Sequence, residues 1–371
     1  MLEFRAIARK NAARQSRRIE YLGWAWNDYL GGLGVPWYLE VNVEVGPGRN
    51  RLLLESYRIQ SRTTAKVGRR SYPLVVLERA DRAGAHDGAL GRARVHDGVG
   101  QVLVGGVRGQ AELWVWPLLD KTASHANHGD TGFARPVSAE LRKALAPDHY
   151  AVLGRTAPAF HALLGLRASI LERRDPGSRF RMSLPPLRGY PLGFRAGLAR
   201  IAETEQDSPC PMLTVLEADL VDLESEALAR APELEAALAS LTAHLVRGVA
   251  VHEARHVADE DRAAPLLCPG CPSDFSRAVR GEVSAYLASF ADQETGISSL
   301  YQACHVGRKT GANAVALEYL FRQLLPGGCS QGPPSDLFVR AGRLEQKLFR
   351  RCEPIALETR APTRRTIRVA M

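Results

Sequence analysis

Residues 232–260 read PELEAALASLTAHLVRGVAVHEARHVADE, and their spacing decides how the rest of the chain is read. Leu234, Leu238, Leu241, Leu245, Val249, His252 and His256 recur at intervals of four, three, four, four, three and four, which traces one face of a single α-helix. Pro232 stands where a first-turn proline is tolerated. The face begins as a stripe of leucines of the kind that is buried and ends in two imidazoles.

Two histidines one turn apart point the same way, with Cβ atoms about 5–6 Å from each other, so that both rings can reach one metal ion at about 2 Å. In His252-Glu253-Ala254-Arg255-His256 this is the HExxH pattern, with Zn2+ as the expected ion and His252 and His256 as ligands. Glu253 stands off the ligand line, beside the ion. There its carboxylate can act as general base toward a water that zinc acidifies toward neutrality. With ten histidines in the chain, a chance match is expected only on the order of a few times in a hundred such sequences. The leucine stripe predicts the required helix independently. Arg255, between the ligands, is expected to face away from the metal and to pair with Asp259 or Glu260.

A catalytic zinc takes three protein ligands and keeps one position open. Asp259 lies on the same face, but two turns from His252 put it about 10 Å up the axis, and no glycine follows His256 to break the helix. It is expected behind the ligands as a supporting partner, or in an ion pair with Arg255 or Arg262. Glu282 is the expected third ligand. Past a loop containing Pro and Cys, Ser273 or Asp274 can cap a helix in which Val279, Glu282, Val283, Tyr286 and Phe290 form one stripe, and a carboxylate in an apolar stripe needs a partner. Tyr286, one turn further, is a candidate to hydrogen-bond a ligand or stabilise an oxyanion, with plain packing as its alternative. His305 is a candidate transition-state donor.

An HExxH helix followed some two dozen residues later by a glutamate-bearing helix resembles the gluzincin branch of the zincin metallopeptidases, over about residues 232 to 295. The resemblance implies that His252, His256 and Glu282 hold zinc and that Glu253 is the general base. The sequence departs from the thermolysin-like pattern at Tyr286, where that group carries an aspartate supporting a zinc histidine. The metzincin extension with its glycine and third histidine is absent.

Outward from this segment, the 371 residues have room for two or three domains. The expected fold class is α+β, an N-terminal antiparallel β-rich region followed by a mostly helical zincin-like domain, with divisions at 1–130, 131–230 and 231–371. Short runs rich in Val, Leu, Tyr and Trp (Trp37 to Val45, Arg51 to Gln60, Pro73 to Glu78, Gln101 to Val107, Ala111 to Leu118) read as strands of a sheet or small barrel. Trp114 and Trp116 alternate about Val115 in strand fashion. His86-Asp87-Gly88 and His96-Asp97-Gly98 carry turn chemistry. Helical spacing is expected from Val137 to Leu145 and from His149 to Leu171, then a linker from Pro176 to Pro191.

No uninterrupted apolar run approaches the ~18 residues of a spanning helix, so no transmembrane segment is expected in the chain as given. The net charge of +9 comes mostly from arginine, with lysine only six times, dispersed among carboxylates rather than clustered with aromatics; nucleic acid is not an expected partner. The first eighteen residues carry Arg5, Arg9, Lys10, Arg14, Arg17 and Arg18 without an apolar run behind them, so no signal peptide is read and the default location is cytoplasmic. Six cysteines, five of them in the last third, point instead to an oxidising compartment, and a lost upstream anchor would reconcile the two. Cys268-Pro269-Gly270-Cys271 and Cys304 read as loop-pinning disulfides, with a zinc knuckle including His305 as the alternative, and Cys329 with Cys352 as a second staple. The expected function is a zinc-dependent metallopeptidase acting on a peptide or protein substrate. The competing reading is a non-catalytic zincin-like binding or scaffold module with a structural metal. Specificity and oligomeric state are not readable.

Overall fold

The computed structural model describes residues 12–46, 49–80, 90–94, 98–120, 131–157, 180–183, 212–215, 232–261, 266–306, 311–351 and 353–359. The chain divides into two units. One comprises Met1–Val107, Val249–Asp292 and Gly342–Met371, and the other Arg108–Gly248 and Gln293–Ala341. The two units interleave along the sequence. The fold class is α+β, with an N-terminal mixed sheet and a mostly helical C-terminal region.

In the first unit, helix α1 (Ala12–Gly32) leads into a six-stranded sheet of β1 (Trp37–Gly46), β2 (Arg49–Val67), β3 (Arg70–Arg79), β4 (Gly91–Arg94), β5 (Val99–Leu103) and β8 (Ile355–Thr359). The order is β1-β2-β3-β5-β4, with β8 paired to β2. The expected antiparallel sheet is corrected in one place, since β3 and β5 run parallel, Leu74 opposite Gly100 and Leu77 opposite Leu103. β3 lies between β2 and β5, and its run Leu74-Val75-Val76-Leu77 is buried throughout, as a strand covered on both faces requires. On one face Val75 and Leu77 pack with Tyr38, Tyr57 and Leu103. Elsewhere in the sheet Val67 and Tyr72 meet Val257 and Ala258 of the long helix. Of the two His-Asp-Gly triplets, the first lies outside the described residues, as do His96 and Asp97; Gly98 is described, with φ +62°, suited to a turn before β5.

The fifth expected strand is helical instead. Val104–Gln110 forms helix α2, and Ala111–Val115 and Trp116–Leu119 continue it as a π turn and a 3₁₀ turn. Val107, Ala111, Val115 and Leu119 are all buried and stand four apart, a helical spacing that the alternation around Val115 concealed. The buried Trp116 ring donates from Nε1 to the Leu153 carbonyl. The second unit also holds α3 (Thr131–Ala144), α4 (residues 147–157), the two-stranded pair β6 (Phe180–Ser183) and β7 (Met212–Val215), α7 (Gly296–Val306) and α8 (Ala312–Leu324). Most of the expected linker from Pro176 to Pro191 lies outside the described residues, and the part that is described, β6, is a strand.

Helix α5 (Pro232–Glu260) follows the predicted stripe, with Leu234, Leu238, Leu241, Leu245 and Val249 buried. Among the described residues it is the one helix long and apolar enough to cross a membrane by length and composition, and more than half of its most apolar stretch is buried in the protein. Helix α6 (Arg277–Ala291) begins three residues later than Ser273: its cap is Ser276, whose hydroxyl accepts from the Val279 amide at 3.2 Å. Helix α9 (Leu337–Phe349) is the last helix of the described residues. Cys268 is bonded to Cys271 and Cys304 to Cys329, so Cys329 is joined to Cys304 and the staple expected with Cys352 is not formed; Cys210 and Cys352 lie outside the described residues. With both described pairs oxidised, no thiolate of Cys268, Cys271 or Cys304 is left for a zinc knuckle.

Candidate metal centre

The end of α5 and the first turns of α6 bring His252, His256 and Glu282 together within the first unit. One donor atom from each lies within 4.8 Å of the others. The two Nε2 atoms face each other at 3.1 Å, Glu282 Oε2 stands 3.5 Å from that of His252, and Glu282 Oε1 stands 3.5 Å from that of His256. In a tetrahedral site with bonds of about 2.0–2.1 Å, donors are separated by roughly 3.3–3.4 Å. The observed separations bracket that value. They are long for a charge-assisted hydrogen bond, for which about 2.7–2.9 Å is usual.

The polar accounting agrees. Glu282 Oε2 is buried and receives no well-directed hydrogen bond among the described residues. Two ring nitrogens aimed at each other satisfy one another only if one carries a proton; lone pairs on both sides call for a cation between them. The three side chains are each still 16–19 % exposed, so the group is open to an entering ion. Burial works against ionisation of Glu282, but the closeness of His252 and His256 holds its carboxyl well below the usual range. Burial likewise pulls the His256 imidazole down, and Glu282 and Glu253 together outweigh it, leaving it above its ordinary value. The cluster is arranged around shared charge.

Glu253, next in sequence to His252, is buried. Burial raises its carboxyl above the ordinary value, opposed by the two histidines and reinforced by the negative charge of Glu282. Its neighbours in the sheet are glycines for a steric reason. A Cβ on Gly91, at the start of β4, would lie 2.6 Å from Glu253 Oε1 and 2.8 Å from its Cγ; one on Gly100 would lie 2.2 Å from Leu74 Cδ2 and 3.3 Å from Glu253 Cβ. The edge of the sheet thus rests directly on the turn of helix that carries Glu253.

Asp259 is not a ligand. Its carboxylate accepts from the Ser284 hydroxyl at 2.6 Å and pairs with Arg351, 2.7 Å to Nη1, so it ties α5 to α6 two residues from Glu282. The partner shown is Arg351, where Arg255 was one expectation; Arg262, the other, lies outside the described residues. Arg255 is fully buried, with Nη2 3.3 Å from Glu345 and Nη1 3.4 Å from Glu353, and Glu260 pairs with Arg277. Arg351 also reaches Glu345 at 3.4 Å, which makes one connected ion network of Arg255, Glu345, Arg351 and Asp259. Tyr286 stands edge-on to the His252 ring, centroids 4.6 Å apart, and tilted on Phe290; burial raises its hydroxyl. His305 belongs to the second unit, stacked on Trp114 at 4.1 Å and edge-on to Tyr301 at 4.7 Å.

Ser284, Arg351 and Gly91 were not singled out from the sequence. An isolated glycine opening a short strand is a known mark of close backbone approach, and Gly91 carries that signal. Ser284 and Arg351 carry none, because their partner is supplied by distant chain. No family model, curated protein or solved structure matches this chain.

Proposed function

We propose that this chain is a zinc-dependent hydrolase of the zincin type, most simply a peptidase, with His252, His256 and Glu282 as the ion's protein ligands. The observation that carries the reading is the convergence of donor atoms from three side chains on two helices, one from each within 4.8 Å of the others, next in sequence to a buried glutamate that is not one of them. Two imidazoles and one carboxylate suit zinc among the common ions. When bound, zinc supplies Lewis acidity toward a carbonyl oxygen and toward water.

The chain's own residues supply the rest. Glu253 takes the proton from the attacking water as the C–O bond forms, and returns it to the nitrogen of the departing amine as the C–N bond breaks. Burial raises this carboxyl above its ordinary value, the direction that suits a group that must both accept and release a proton. The ion network through Asp259 and Ser284 holds Glu282 in place relative to the histidines. A peptide is favoured as substrate because, among the described residues, β4 ends the strand order of its sheet, next to Glu253; an extended backbone pairing with that edge would run past the carboxylate.

The test is metal analysis of the purified chain together with hydrolysis of a mixed peptide library. Near-stoichiometric zinc and peptide cleavage are expected. Glu253→Gln should retain metal and fold while losing about a thousandfold or more in turnover. Zinc with no hydrolysis in either protein would leave a stapling site, and no metal at all would remove the proposal.

A further inference from the structure

Helix α1 carries an outward-facing line of large apolar residues. Leu22, Trp26, Tyr29 and Leu33 follow one another at intervals of four, three and four, and they are 63 %, 50 %, 58 % and 41 % exposed. Tyr21 and Trp37 are exposed as well. The helix is fixed to the sheet rather than loose: the Asn27 side-chain amide donates to the Leu39 carbonyl and its oxygen accepts from the Leu39 amide, both at 2.8 Å, and Ile19 is buried. The stripe is therefore held outward by the fold.

In the sequence, Arg18 and Arg14 precede Leu22 at the same interval of four. The first eighteen residues hold six cationic side chains against the single carboxylate of Glu3. Trp and Tyr are the residues of bilayer interfaces, and arginine beside them pairs with phosphate headgroups. Charge complementarity therefore selects the occupant: a negatively charged surface with an apolar layer just beneath it.

We infer that α1 docks this chain onto the surface of an anionic lipid bilayer, with Leu22, Trp26, Tyr29 and Leu33 entering the boundary between headgroups and acyl chains and the cationic stretch before them drawn to the phosphates. The surface stands apart from the metal centre, and neither reading depends on the other.

The experiment uses the full chain in flotation with vesicles of phosphatidylcholine alone and of phosphatidylcholine mixed with phosphatidylglycerol. The chain floats with the anionic vesicles, its tryptophan emission moves to the blue, and added salt reduces both effects. Trp26→Ser with Leu33→Ser lowers partitioning about tenfold or more with an unchanged melting temperature. Arg14→Gln with Arg18→Gln reduces the preference for anionic over neutral vesicles. The inference is overturned if the wild-type chain stays with the unbound fraction at low salt, or if the serine variant floats as well as wild type. A wild-type dimer in the absence of lipid that becomes monomeric in the serine variant, with no flotation of either, assigns the face to a second copy of the chain and likewise overturns it.

Discussion

One helix, α5, carries two different meetings of histidine and glutamate. In the second unit His244 Nε2 lies 3.1 Å from Glu140 Oε1, and both side chains are almost fully buried. Glu140 has further donors: the Ile297 amide at 2.9 Å, the Ser298 amide at 3.2 Å and the Ser298 hydroxyl. Its carboxylate closes the N-terminal end of α7, where exposed amides and the helix dipole favour an anion. Two turns and more along α5, His252 and His256 face Glu282 at longer distances, and the carboxylate keeps a buried oxygen with no well-directed hydrogen bond. The contrast teaches that proximity of His and Glu does not mark a metal ligand. What sets apart the group that could hold a metal is that its donor atoms converge and one buried carboxylate oxygen has no well-directed hydrogen bond among the described residues.

Removing the two carboxylates in turn is the strongest way to break that comparison. Glu282→Ala should drop the zinc content of the purified chain far below one equivalent while the metal-free protein still folds. Glu140→Ala should leave zinc content unchanged and destabilise the chain by about 3 kcal/mol, because His244 and two amides lose a buried partner. Elemental analysis and urea unfolding of the same preparations separate the outcomes; zinc lost equally from both variants would erase the distinction. Next in size is Gly91→Ala, whose Cβ falls on Glu253 and Val249. Turnover should fall roughly tenfold to a hundredfold with metal retained, since a displaced base costs rate and not affinity.

Asp259→Asn sharpens the picture further. It weakens the tie to Arg351 and Ser284, so zinc affinity measured by competition with a chelator should fall about tenfold while an unchanged ligand set still binds. The smallest effect is in pH. Glu282 lies below its ordinary value of 4.5 and His256 above 6.5. In the metal-free chain the first therefore contributes stability that is present above its unfolded-state value and lost as pH falls through its depressed one. The second contributes stability present below its unfolded-state value and lost as pH rises through its raised one. Zinc competes with the imidazole proton, so the rise in melting temperature on adding zinc should grow from about pH 5 to about pH 8. A gain that shrinks over that interval would point to ligands other than histidine.

The histidine pair was legible because its geometry is local. An interval of four on a helix fixes where two side chains point before any tertiary contact forms, and the leucines from Leu234 to Leu245 announce the helix. Glu282 was legible at one remove, as a charge on an apolar stripe. The run Ala111 to Leu118 misled because alternation and a spacing of four both fit it, and only the burial of Val107, Ala111, Val115 and Leu119 distinguishes them.

The sequence by itself determined the long helix, its pair of imidazoles, the glutamate next to the first of them and the α+β class. Each of these follows from intervals of two to seven residues, over which backbone geometry alone sets direction. Tertiary structure decided that Glu282 faces the pair across two helices, that Arg351 and not Arg255 holds Asp259, that β8 joins β2, that β3 runs parallel to β5 and that Cys304 bonds Cys329. These are meetings of residues far apart along the chain, and which of them form depends on how whole faces of helix and sheet bury each other, a property that no local interval contains.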